Sequence, residues 1–184
     1  NKLVYPVTQK DDLVETIHGV TVADPYRHLE ANTPETEAWV KEQQAFGQAY
    51  LAKIPNKQAV VDRITELWNY EKVSAPFENG DNQFYYRNDG LQAQSVLYVK
   101  GLDGVEKPVL DPNKLSADGT VALSGVAVSN DGKILAYGVS NSGSDWQQWQ
   151  FVDIATGKKL ADELKWIKFS SAVWDKENQG VFYA

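Results

Sequence analysis

The sequence predicts a mainly β chain preceded by two α-helices, the β portion reading as the first blades of a β-propeller. Three observations carry this expectation. Apolar residues recur at spacings of three and four from Trp39 to about Tyr70, and after Ser74-Ala75-Pro76 the period changes to two and stays there. Glycine pairs then punctuate the chain at Asn79-Gly80, Asp103-Gly104, Asp118-Gly119, Asp131-Gly132 and Thr156-Gly157, as tight turns between short strands require. Finally, the strands repeat. Gly80 precedes Tyr85 as Gly132 precedes Tyr137, and LYVKGLDG aligns with QFVDIATG, both at an offset of about 52 residues.

Residues 1 to about 32 read as an irregular arm. Tyr5-Pro6 is biased to extended backbone, and TIHGVTVADPY alternates weakly until Asp24-Pro25 begins a turn. Thr33-Pro34-Glu35 then starts a helix: a threonine oxygen to cap it, a proline at its first position, and Glu35 and Glu37 facing the positive end of its dipole. Trp39, Gln43, Phe46, Tyr50 and Ile54 form its stripe, and Pro55-Asn56 ends it. A second helix from Lys57 to about Tyr70 carries Val60, Val61, Ile64, Leu67 and Trp68. Both stripes call for a partner surface. Strands are expected at 83–89, 95–100, 106–111, 123–129, 133–140, 149–154, 168–174 and 180–184. That makes two blades and the first hairpin of a third. A propeller hides its edges only by closing a ring of four to eight blades, so the chain is expected to be a portion of a longer one.

Composition narrows the function. A chain of 184 residues with 42% apolar content can build a core, and no apolar run reaches the roughly 18 residues of a membrane helix. The net charge of −7, with Lys and Arg scattered, argues against nucleic acid or an anionic membrane as partner. Without cysteine there is no disulfide, thiolate metal site or cysteine nucleophile. His18 and His28 lack metal-ligand spacing, and NDG at 130–132 reads as a hairpin turn because the further ligands of a calcium loop do not follow. No metal or cofactor is expected.

Longer motifs are more specific. DLVETIHGVTVADPYRHLE followed by TPETEAWVKEQQ, then WNYEKVSAPFENGDNQFYYRNDGLQAQSVLYV, LDPNKLSADGTVAL and SNSGSDWQQWQF resembles the N-terminal part of the prolyl oligopeptidase family, from about Tyr5 to Ala184. The resemblance implies a serine peptidase that cleaves short peptides on the C-terminal side of proline, in which a seven-bladed β-propeller covers an α/β-hydrolase domain. Residues 1–74 would be an arm and two helices packing on that hydrolase domain, and 75–184 two blades and the start of a third. The implied partners are proline-containing peptides and the rest of the same polypeptide, in a monomer. The missing cysteine and initiator methionine fit a periplasmic enzyme with its leader removed and a cytoplasmic enzyme with a trimmed N-terminus alike; the compartment stays open, with the periplasm slightly favoured.

The serine nucleophile, its base and its carboxylate are expected outside this chain, since no G-x-S-x-G occurs and Ser140 in GVSNSG reads as a strand residue. Two positions carry over by motif. Asp145 in SGSDW matches an aspartate that pairs with an arginine of the hydrolase domain, which in turn holds the carbonyl of the residue before the substrate proline. By residue type alone it reads as a loop aspartate capping a turn. Phe169 in KFSSAVW matches an aromatic lining the apolar pocket for the residue two before the proline, whereas alternation alone reads it as a core strand residue. His28 stands where the family usually has tryptophan, and Ser124 where some relatives have arginine. Two other readings stay open: a sibling oligopeptidase of other specificity, and a non-catalytic propeller scaffold.

Overall fold

The computed structural model describes residues 3–184. They fall into two compact units that divide between Arg63 and Ile64, inside the second helix.

In the first unit the arm is more regular than its weak alternation suggests. Strands β1 (Val14–Ile17) and β2 (Val20–Ala23) form an antiparallel hairpin around His18-Gly19, both with positive φ. Each strand is only four residues long and all but one of their residues are exposed, so no apolar face marked it in the sequence. Arg27, at the start of a short 3-10 helix (Arg27–Glu30), donates to Glu15 of β1 and to Asp24 after β2, which pins the turn to the hairpin. Helix α1 (Pro34–Leu51) opens as its sequence dictates: Thr33 Oγ1 accepts from the Thr36 amide at 3.2 Å, with Pro34 in the first turn. Its stripe takes up the arm, since Trp39 Nε1 donates to Thr8 Oγ1 at 3.0 Å and the Tyr5 and Phe46 rings lie 4.9 Å apart. Helix α2 (Lys57–Trp68) leaves Val60, Val61, Ile64, Leu67 and Trp68 exposed.

In the second unit the period-two segments form two antiparallel sheets and a hairpin. The first sheet contains β3 (Lys72–Val73), β4 (Phe77–Asn79), β5 (Asn82–Asn88), β6 (Val96–Lys100) and β7 (Glu106–Leu110). Both β3 and β4 pair with β5, one interrupted strand broken at Pro76, which has no N–H for the ladder. The second sheet runs β8 (Val121–Val128), β9 (Ile134–Asn141), β10 (Trp146–Asp153), β11 (Lys159–Lys168), each pairing with the next. A last hairpin joins β12 (Val173–Trp174) to β13 (Val181–Phe182).

Alternation sends neighbouring residues of the second sheet to opposite faces. Leu135, Tyr137 and Val152 pack with Phe84, Leu97 and Val99 of the first sheet, while Ala136, Trp149 and Phe151 pack with Ala172, Trp174 and Val181. Burying each large side chain contributes about 1.5–3 kcal/mol, so these two layers hold the sheets face to face. Polar stitches repeat with the blades: Asn82 Nδ2 donates to Gly132 O at 2.9 Å, and about one period later Asn130 Nδ2 donates to Asp175 O at 2.8 Å.

Two strand expectations need correction. Strand β10 begins at Trp146 rather than at 149, and the segment expected as one strand at 168–174 is broken, with only Lys168 at the end of β11 and Val173–Trp174 in β12 in strand. The outer strand is instead β11, ending at Lys168, and residues 169–172 cross to the next hairpin. The sequence KLADELKWIK hid β11 because its Lys, Asp, Glu and Ala are poor strand formers; they are tolerated at a sheet edge, where charge deters further pairing. The turn at Asn130-Asp131-Gly132 is a hairpin as expected, closed by the Gly132 amide donating to Ser129 O at 2.8 Å.

Candidate functional site

The two positions singled out by motif, Asp145 and Phe169, come together at one end of the second sheet. Asp145 ends the turn between β9 and β10, and Phe169 follows the last residue of β11. Trp146 and Lys168 are paired across the β10–β11 ladder, so Asp145 and Phe169 each lie one residue beyond that rung, on opposite strands. Lys168 joins them. Its Nζ lies 3.4 Å from Asp145 Oδ2, 5.1 Å from the Phe169 ring centroid and 5.4 Å from that of Trp146.

Phe169 is not a core strand residue: it is 79% exposed and its φ of 54° is left-handed. An L-residue rarely adopts that backbone, and here it ends the ladder and turns the ring outward. Trp166 repeats the device three residues earlier, 78% exposed at φ 61°. Its indole meets Trp146 edge-on at 5.8 Å. Bulges in the β10–β11 pairing allow these departures.

Asp145 does not cap its turn. That role falls to Ser144, whose Oγ accepts from the Trp146 amide at 3.1 Å, leaving the Asp145 carboxylate to Lys168 and solvent. Beside Trp146 and Trp166 lies a cavity of about 470 Å³, with Leu115, Val121, Val139 and Gln150 among its lining. The Tyr137 hydroxyl donates to Gln150 Oε1 at 2.7 Å, and burial raises its pKa, so it stays a neutral donor. The end of the sheet thus offers a carboxylate, an ammonium and three outward aromatic rings around an apolar hollow. Its chemistry is that of charge and ring contact, with no nucleophile and base paired among these residues.

The remaining candidates are structural. Ser140 lies within β9 and donates to Ser144 O at 2.8 Å; Ser124 donates to Gln147 Oε1 at 3.1 Å. In the first unit His18 makes the β1–β2 turn, and His28 Nδ1 sits 2.8 Å from Asp11 Oδ2 without hydrogen-bond geometry. Lys168 was missed from sequence. A lysine in an acidic chain is unremarkable, and only its place beside Phe169 and opposite SGSDW could have flagged it.

Comparison with known proteins matches this architecture. The family described as prolyl oligopeptidase, N-terminal β-propeller domain, matches residues 5–184. Prolyl endopeptidase of Elizabethkingia miricola is 43% identical over 185 residues, covering 100% of this chain and 26% of that protein. Prolyl oligopeptidase A of Amanita bisporigera is 36% identical, covering 98% of this chain and 27% of that protein. A prolyl endopeptidase solved in work on inter-domain dynamics in catalysis and specificity superposes with TM-score 0.87 at 36% identity, over 98% of this chain and 27% of its own. Prolyl oligopeptidase B from Galerina marginata, bound to a 35mer hydrolysis and macrocyclization substrate, superposes with TM-score 0.81 at 34% identity, over 98% of this chain and 29% of its own. The chain therefore spans about a quarter of the length of these relatives. With almost every residue matched and the repeated sheets at the spacing the propeller period demands, this chain belongs to the prolyl oligopeptidase family, as its N-terminal β-propeller portion.

Proposed function

We propose that the full-length protein is a serine peptidase that cleaves short peptides on the C-terminal side of proline, with this chain supplying the first blades of the ring that restricts access to the active site. In this reading the arm and α1–α2 pack on an α/β-hydrolase domain elsewhere in the polypeptide, which covers the exposed stripe of Val60, Ile64 and Leu67. Asp145 pairs with an arginine of that domain, and the arginine holds the carbonyl of the residue before the substrate proline. Phe169 lines the apolar pocket for the residue two before the proline.

The observation that carries the reading is the placement of Asp145 and Phe169 together, both facing out at one end of a propeller sheet and neither used by the core. An isolated propeller scaffold has no need to hold a phenylalanine outward in left-handed backbone. The relatives named as prolyl endopeptidases and oligopeptidases support the same reaction class.

The test is hydrolysis by the full-length protein of a chromogenic peptide ending in Gly-Pro, against a Gly-Ala control. Cleavage after proline alone is expected. Asp145→Asn is expected to lower kcat/KM about tenfold, the loss of roughly 1.4 kcal/mol of charge-assisted binding. A folded full-length protein inert toward Gly-Pro, or one that cuts Gly-Ala equally well, overturns the reading.

A further inference from the structure

We propose that Lys168 is a positioning residue that couples Asp145 to Phe169, so that carbonyl capture and filling of the apolar pocket are set jointly; the inference rests on the function proposed above. One ammonium touches three partners at once: the Asp145 carboxylate at 3.4 Å and the faces of Phe169 and Trp146 at 5.1 and 5.4 Å. Lys168 and Trp146 form the last rung of the β10–β11 ladder, so the backbone from which the ammonium reaches these partners is fixed. Trp146 in turn meets Trp166 edge-on.

The pair is too open to matter for folding. Lys168 and Asp145 side chains are 38% and 57% exposed, and such ion pairs are screened to a small fraction of their Coulomb energy. Its effect is orientation. A carboxylate has two oxygens, and Lys168 takes Oδ2, which leaves Oδ1 for a guanidinium arriving from another domain. The same ammonium attracts the Phe169 ring, which at 79% exposure lacks the packing that fixes core rings. Neutralising Asp145 releases the lysine and with it the aromatic wall. Removing the lysine frees the carboxylate to rotate.

The experiment uses the full-length protein and a pair of substrates, one with glycine and one with an aromatic residue two positions before the proline. Lys168→Met keeps the aliphatic stem and removes the charge. It is expected to raise KM for the aromatic substrate about two- to fivefold, the range of an exposed ion pair or cation–π contact, with kcat unchanged. Melting temperature is expected to stay put, and Lys168→Arg to restore KM. In a double-mutant cycle, Asp145→Asn and Phe169→Ala are expected to be non-additive by a similar factor when Lys168 is present and independent in the Lys168→Met background. Additivity in both backgrounds, or failure of Lys168→Arg to rescue, overturns the proposal. A second readout does not depend on activity. The NMR signal of isotopically dimethylated Lys168, assigned by its loss in Lys168→Arg, is expected to move on both Asp145→Asn and Phe169→Ala. A signal that ignores either change overturns the coupling. Loss of Gly-Pro cleavage in the unmodified protein would sink the proposed function and leave the NMR result to decide this one.

Discussion

Replacing Gly80 with alanine tests whether neighbouring blades are held by contact between their hairpin tips. Gly80 has φ 57°, and a Cβ added there would lie 2.4 Å from Asp131 O and 2.6 Å from its carbonyl carbon. Left-handed backbone at a non-glycine residue costs about 1 kcal/mol at the low end of its range. The contact is with backbone, which no side-chain rotation can relieve, so the two tips must part by about an ångström to reach ordinary van der Waals separation. That movement strains the bonds from Asn82 Nδ2 to Gly132 O and from Asn79 Nδ2 to Val128 O, now 2.9 and 3.3 Å. Each is worth about 1 kcal/mol, giving about 3 kcal/mol in all. Gly104 supplies the control: its φ is 74°, but nothing lies within 4 Å of its added Cβ. Gly104→Ala is expected to cost only the backbone component, about 1 kcal/mol. Urea unfolding followed by near-ultraviolet circular dichroism should separate the two by about 2 kcal/mol. Equal costs would refute the reasoning, because the tips would then be free to separate.

Two further predictions concern the core and the turns. Trp149 is 1% exposed and lies against Gly138, where a Cβ would come within 2.6 Å of the indole; Trp149→Ala is expected to cost about 3–5 kcal/mol, read as a loss of midpoint in urea, and a cost under about 1 kcal/mol would mean the sheet does not depend on this ring. Asp131 has its pKa lowered chiefly by the hydrogen bond from Ser129 Oγ at 2.7 Å, with burial opposing, so its stabilising contribution is present above the usual aspartate range and is lost as pH falls through the folded value; midpoints measured below about pH 4 should fall less steeply in Asp131→Asn than in the native chain, and identical slopes would refute it.

Much of this fold is written locally. The helix start at Thr33-Pro34 and the hairpin at Asn130-Asp131-Gly132 follow from capping and turn chemistry that a few residues define. The repeat of Gly80–Tyr85 in Gly132–Tyr137 foretold two sheets of similar build, because alternation needs only the residues of the strand itself. The short β1–β2 hairpin escaped notice because no face of it is buried, and β11 because an edge strand with one neighbour accepts residues that disfavour strands. For the site, the sequence pointed to Asp145 and Phe169 but not to Lys168, nor to the outward turn of Phe169. Those depend on which residue of β10 faces which residue of β11 and on the bulges that shift that register. Residue type and spacing are local, so the chain alone determined its elements and their repeat. Cross-strand register is set by pairing between segments many residues apart, and only the tertiary structure decided that one ammonium would stand between a carboxylate and two aromatic rings.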